Sequence, residues 1–137
     1  MNRIVIIHAG LRVPSSTKLL TDGFVAAMPE DDVRVVALRD HAHAIVDAML
    51  TGLVPDALAD VIGTVTGADA LVAVTPTFSA SFSGLFKSFF DILEPEVLKG
   101  MPVLLAATGG TARHSLMIDH SMRPMFAYLG AQAVRTG

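Results

Sequence analysis

Residues 4–18 read IVIIHAGLRVPSSTK, in which a largely apolar run is followed by a glycine-containing loop and three consecutive hydroxyl residues. The run 4–8 is short, which is typical of a strand that is buried on both faces of a parallel sheet. Gly10 permits a tight turn directly after this strand, and the hydroxyls suit the start of a helix. The stretch therefore predicts one strand, loop and helix unit of an α/β fold.

The same unit recurs along the rest of the chain. Further apolar runs occupy residues 33–38, 70–75 and 103–107, with a weaker one at 131–135, and segments with helical spacing separate them. Such alternation requires parallel strands joined by right-handed crossovers, with helices on both faces of the sheet. We expect a flavodoxin-like open parallel sheet with strand order 2-1-3-4-5, in a single domain of residues 1–137. The sequence ends just past the fifth strand, so the C-terminal helix usual for this fold is expected to be absent.

The composition of the chain argues against several classes of protein. The net charge is −3 with the charged residues scattered, so no basic surface is expected for nucleic acid. The apolar runs are far shorter than the roughly 20 residues that cross a bilayer, and the first strand begins too early to follow a signal peptide. The chain has no cysteine, so redox chemistry must use a bound cofactor. We expect a cytoplasmic protein whose partners include neither nucleic acid nor membrane.

The loop after the first strand has the residues of an anion site. In open α/β sheets, ligands bind beyond the carboxyl ends of the strands, where the strand order reverses. Helix N-terminal N–H groups and a guanidinium can together hold one phosphate monoester. Helix capping by the same hydroxyls is an equally good interpretation, and the loop has neither a dinucleotide-binding nor a P-loop glycine pattern. The candidate phosphate-binding residues are Gly10, Arg12, Ser15, Ser16 and Thr17.

Two further loops suit a flat ring. After the third strand, a proline-fixed polar segment carries one aromatic residue and can run along a ring and its substituent. After the fourth strand, paired glycines allow the backbone to approach a planar ligand closely. Alternatively, Phe78 belongs to the core and the glycines form a plain turn. The candidate residues are Pro76, Thr77, Phe78 and Ser79 in the first segment and Thr108, Gly109 and Gly110 in the second.

Together these three loops resemble those of the NADPH-dependent FMN reductase family. The resemblance covers nearly the whole chain and is most specific in residues 76–78, 83–87 with Asp91, 109–114 and 122–124. It implies that Ser15 to Thr17 hold the FMN phosphate and that Pro76 to Ser79 run beside the isoalloxazine and ribityl chain. It also implies that Thr108 to Gly110 face the pyrimidine edge. The usual Gly-Ser-x-Arg opening is replaced here by Gly10-Leu11-Arg12, which removes one hydroxyl.

The resemblance also implies a reaction, its cofactors and an assembly. We expect a flavoprotein oxidoreductase in which NADPH or NADH transfers hydride to N5 of FMN, with a flavin-dependent monooxygenase as a possible acceptor. Because the cofactors carry the chemistry, we assign no catalytic residue. Family members are homodimers or homotetramers. The alternative is a flavin-binding or interaction domain without turnover of its own.

Several other residues lead to expectations about packing. Phe86, Phe89 and Phe90 give one helix more apolar surface than a sheet face can cover, which favours self-association. Pro124 removes a helical donor and predicts a kink or π-bulge near His120, which could aim that side chain into a subunit contact. His8 is expected to be a satisfied core or loop histidine. Two further expectations are an i, i+4 ion pair between Lys87 and Asp91, and no metal site at His41 and His43, which lie on diverging faces.

Overall fold

The computed structural model describes residues 2–11, 16–78, 81–108 and 117–134 of the chain. Parallel strands in this part form a sheet, and one short strand, β4, pairs antiparallel with the end of β3. The strands are β1 (Arg3–His8), β2 (Asp32–Ala37), β3 (Ala70–Phe78), β4 (Ser81–Phe82), β5 (Pro102–Thr108) and β6 (Gln132–Ala133). The parallel strands follow the order β2-β1-β3-β5-β6. With β4 left out of the numbering, this is the predicted order 2-1-3-4-5.

Helices cover both faces of the sheet, as predicted. One face carries α1, and the larger core on the other face includes residues of α2, α3, α4 and α5. The α-helices are α1 (Ser16–Ala27), α2 (Ala42–Thr51), α3 (Asp56–Thr66), α4 (Gly84–Asp91) and α5 (Arg123–Tyr128). A 3-10 turn (Leu38–His41) precedes α2, and a π-helix (Ile118–Met122) leads into α5. Gly52, with φ of 75°, ends α2 in a left-handed conformation that glycine adopts without strain.

The strand β1 lies between two cores. Its Ile6 packs into the α1 face beside Val72 and Val74, whereas Val5 and Ile7 belong to the larger core. All three β1 side chains are fully buried, which explains why the run is apolar at successive positions and does not alternate. The strand is paired in parallel with β2 on one side and with β3 on the other. Its carboxyl end is therefore fixed at the centre of the sheet.

A cluster of phenylalanines fills the larger core, which overturns one expectation. The rings of Phe86 and Phe90 lie 4.9 Å apart, and that of Phe126 lies 5.0 Å from Phe90. Phe86, Phe89 and Phe90 are at most 2% exposed. The expectation that they leave apolar surface uncovered was wrong, because α5 supplies Phe126 against them.

The predicted π-bulge is present before Pro124. The backbone N–H of Arg123 donates to the carbonyl of Ile118, five residues earlier, as in a π-turn. Pro124 then falls in the first turn of α5, where the helix does not need its missing N–H. His120 is exposed in the isolated chain. Its predicted place in a subunit contact stays a prediction.

The aromatic cluster provides a test of the core. We expect Phe126→Ala to lower the free energy of unfolding by about 3–5 kcal/mol, because it leaves a cavity among packed rings. Leu19→Ala, at a side chain that is 71% exposed on α1, is the control. It should change the free energy by less than about 0.5 kcal/mol. Urea denaturation measures both, and equal small effects would contradict the assignment of Phe126 to the core.

Candidate functional site

The carboxyl ends of β1, β3 and β5 meet at the middle of one sheet edge. His8 of β1 lies opposite Val74 of β3, and Pro76 of β3 lies opposite Thr108 of β5. The backbone N–H of Ala9 continues this pairing with a 3.0 Å hydrogen bond to the carbonyl of Val74. The three predicted ligand loops therefore leave the sheet from adjacent strands. This is the edge at which open α/β sheets bind ligands.

A pair of hydroxyls joins the first turn of α1 to the end of β5. The Oγ1 atoms of Thr17 and Thr108 lie 3.2 Å apart, although the residues are 91 positions apart in the chain. Thr17 is only 1% exposed, and its carbonyl accepts a 2.9 Å hydrogen bond from the Thr21 hydroxyl. The predicted phosphate loop and the predicted pyrimidine loop therefore begin within hydrogen-bond distance of each other.

Two buried hydroxyls whose roles the sequence did not predict connect β3 to the start of α4. The Thr75 hydroxyl donates to the carbonyl of Pro76 at 2.9 Å and accepts from the backbone N–H of Ser83 at 3.0 Å. Ser83 in turn caps α4, because its Oγ accepts from the backbone N–H of Phe86 at 3.2 Å. These bonds connect the carboxyl-terminal part of β3 with the N-cap of α4. The N-cap signal was present in the sequence as a serine before the apolar stripe of α4.

His8 is buried as expected but is not satisfied. It is 7% exposed, and within the described part of the chain its Nδ1 atom has no hydrogen-bond partner. Burial lowers the pKa of His8 from its ordinary value, and the positive charge of Lys18 lowers it further, while Asp40 and Asp22 act in the opposite direction. Burial therefore favours the neutral imidazole. The expectation of a satisfied histidine was wrong, because no described group lies within hydrogen-bond distance of its buried Nδ1 atom.

The structure describes some of the predicted site residues and not others. Gly10 is buried directly beyond β1, Thr17 is buried, and Pro76 and Thr108 are half-buried. The backbone of Ser16 begins α1, and the backbones of Thr77 and Phe78 complete β3. The remaining predicted residues lie outside the described ones, namely Arg12, Ser15, Ser79, Gly109 and Gly110.

Three further observations concern a helix-surface ion pair, metal-binding groups and membrane spans. Lys87 and Asp91 form the expected ion pair on α4 at 2.7 Å, with both side chains nearly half exposed. Among the described residues, no group of three side chains is arranged to hold a metal ion. In the same part of the chain, no helix has both the length and the apolar character needed to span a bilayer.

Comparison with known proteins agrees with the geometry of this edge. A family model described as NADPH-dependent FMN reductase matches residues 2–137. The FMN reductase (NADPH) of Pseudomonas aeruginosa is 35% identical over 138 residues, which cover 98% of this chain and 74% of the relative. An NADH-dependent FMN reductase of Pseudomonas putida is 36% identical over 139 residues, covering 98% of this chain and 75% of the relative.

A solved structure gives the same result for the fold. An oxidoreductase from Corynebacterium diphtheriae superposes with a TM-score of 0.91 at 39% identity, covering 100% of this chain and 80% of that chain. The family model, the relatives and the fold agree on one assignment. The chain belongs to the NADPH-dependent FMN reductase family.

Proposed function

We propose that this chain catalyses the NAD(P)H-dependent reduction of FMN, with FMN at the carboxyl edge of β1, β3 and β5. The observation that carries the proposal is the 3.2 Å contact between the hydroxyls of Thr17 and Thr108, which brings the start of α1 to the end of β5. Hydride passes from C4 of the nicotinamide to N5 of FMN and a proton comes from solvent, so that NAD(P)H and FMN give NAD(P)⁺ and FMNH₂.

The residues at this edge fit FMN in their chemistry. The first turn of a 12-residue helix offers backbone N–H groups to a phosphate, and Thr17 adds a hydroxyl there. In the proposal the phosphate is held by Gly10, Arg12, Ser15, Ser16 and Thr17. The ribityl chain and ring lie along Pro76, Thr77, Phe78 and Ser79, and the pyrimidine edge faces Thr108, Gly109 and Gly110.

The contribution of the protein to the reaction is to orient the two rings. The hydrogen bonds among Thr75, Pro76 and Ser83 connect β3 to the start of α4 before a ligand arrives. A sheet edge held by such bonds beside the flavin lowers the entropic cost of aligning the nicotinamide with it. The reaction needs no acid or base from the chain, because hydride transfer is a property of the cofactors. The family model and the relatives named as FMN reductases support turnover, as opposed to a flavin-binding domain without activity of its own.

The finer parts of the proposal concern the cofactor, the compartment and the acceptor. Relatives at 35% and 36% identity are named for NADPH and for NADH respectively, so either nicotinamide nucleotide fits the family. A chain without cysteine suits the reducing cytoplasm. We include a flavin-dependent monooxygenase as the acceptor of the reduced flavin, and one flavin-binding domain spanning residues 1–137.

The proposal includes a homodimer or homotetramer formed through the groove between α4 and α5. Two adjoining cavities of about 410 and 420 Å³ share Pro95, Tyr128 and Leu129. Tyr128 is 91% exposed, which is unusual for a large aromatic side chain. Both signs of charge line the groove, so a copy related by a two-fold axis can match them. These charged residues are Lys87, Asp91, Glu94, Glu96 and Lys99.

Flavin reduction is the first test. Added FMN should raise the thermal unfolding midpoint, because a ligand at hundredfold excess over its Kd stabilises the folded state by about 2.7 kcal/mol. NADPH or NADH should then be oxidised in the presence of FMN, followed at 340 nm under anaerobic conditions. A rise in the midpoint without nicotinamide oxidation would select the flavin-binding domain without turnover.

The phosphate assignment predicts a difference between FMN and riboflavin. Hydrogen bonds to a charged group contribute about 1.5–3 kcal/mol each, so FMN should bind roughly tenfold or more tightly than riboflavin. Thr17→Val should remove much of this preference and leave riboflavin binding within about twofold. Thr21→Val removes a buried hydroxyl one turn along α1 and is the matched control. Equal affinity of the unchanged protein for the two flavins would contradict the assignment.

Self-association gives a third test. Tyr128→Glu should shift the protein to monomer at micromolar concentration, because the carboxylate would be desolvated in the contact. Leu19→Glu changes a comparably exposed apolar side chain on α1 and should leave the assembly unchanged. Light scattering coupled to size exclusion measures both. A monomeric wild-type protein, or an assembly unaffected by Tyr128→Glu, would count against this groove as the interface.

A further inference from the structure

His8 lies on the α1 face of the sheet. Alternate β1 residues Ile4 and Ile6 pack in the core that contains Leu20 and Phe24 of α1. Because side chains alternate along a strand, His8 points to the same face as these two isoleucines. Lys18 and Asp22 of α1 are among the charges that influence it. The side chain is therefore covered by α1 rather than by the larger core.

The part of α1 that covers His8 is its first turns. In a crossover between parallel strands the helix runs antiparallel to the strands, so the carboxyl end of β1 faces the start of α1. Thr17 meets Thr108 at this edge, which confirms the direction of the helix. His8 is the last residue of β1, two positions after Ile6, and Leu20, one turn into α1, packs against the core that contains Ile6. The imidazole is thus placed beneath the N-terminal end of the helix.

The unpaired Nδ1 atom is the observation that points to a ligand. Buried polar atoms in folded proteins are nearly always hydrogen-bonded, because an unpaired one loses its hydration without replacement. An apolar residue at this position would continue the pattern of Ile4 and Ile6 without that loss. The neutral imidazole carries one N–H donor, and its ring keeps nearly the same shape after a half-turn about the Cβ–Cγ bond. A half-turn exchanges the positions of Nδ1 and Cδ2, so the ring can present a nitrogen to an acceptor on either side.

We propose that His8 is part of the phosphate subsite and donates a hydrogen bond from its imidazole to a phosphate oxygen of bound FMN. The inference rests on the proposed function and adds to it a residue that helps to distinguish FMN from riboflavin. Among the described residues, the charged groups that act on His8 are Lys18 and Asp22 of α1 and Asp40 of the 3-10 turn. Lys18 is paired with Asp22 at 3.1 Å. A bound phosphate would supply the acceptor that Nδ1 does not find among the described residues.

The test compares two variants with the unchanged full-length chain. His8→Leu removes both nitrogens and continues the apolar pattern, whereas His8→Asn keeps an amide nitrogen near the position of Nδ1. Flavin fluorescence titration gives the Kd of FMN and of riboflavin for each protein, and thermal unfolding gives the stability without ligand. We expect His8→Leu to weaken FMN binding about tenfold or more, with riboflavin within about twofold. His8→Asn should retain most of the preference for FMN.

The outcomes separate this role from a structural one. His8→Leu should unfold at a higher temperature than wild type when no flavin is present, because it removes an unsatisfied buried group. A higher unfolding temperature of His8→Leu with unchanged FMN affinity would overturn the proposal and leave His8 as an unpaired core residue. Equal weakening of both flavins would overturn it as well, as would loss of the preference in His8→Asn. If wild type binds neither flavin, the proposed function itself fails. If it binds FMN and riboflavin equally, the phosphate subsite fails.

Discussion

The burial of β1 on both faces is the constraint on which the rest of the structure depends. With Val5 and Ile7 in one core and Ile6 in the other, the strand has no surface to offer a ligand except at its carboxyl end. Parallel pairing with β2 and β3 brings neighbouring strands to the same edge. The polar side chains that can bind a ligand are consequently concentrated in the loops beyond that edge, because burying an unpaired polar group inside the sheet costs free energy.

Most of the fold could be predicted from local patterns. The apolar runs located five parallel strands to within a few residues, and their alternation with helical stripes gave the strand order that the sheet has. The π-helix followed from one residue, Pro124, because a missing N–H acts on its own helix. Each of these features depends on interactions within an element or between consecutive elements. A single sequence carries that information directly.

Features that depend on distant parts of the chain were harder to predict. The stripe of Phe86, Phe89 and Phe90 indicated correctly which side of α4 is apolar, but it does not say that Phe126 completes the cluster. The candidate loops were likewise identified from their composition. The contact between Thr17 and Thr108 could not be predicted in this way, because these residues are distant in the chain and only the crossover geometry brings them together. The Thr75 to Ser83 bond was missed for the same reason, since a buried threonine in a strand resembles any other β-branched residue.

The described polar groups at the carboxyl edge fall into two kinds. Thr75 and Ser83 are paired with backbone groups of the chain itself, so their role is complete before a ligand binds. His8 is buried to a similar degree and has no such partner for Nδ1. An apolar residue at that position would avoid the cost of a buried nitrogen without a hydrogen-bond partner. The difference in pairing, rather than the difference in residue type, therefore distinguishes Thr75 and Ser83, which shape this edge, from His8, whose Nδ1 atom is available to a ligand.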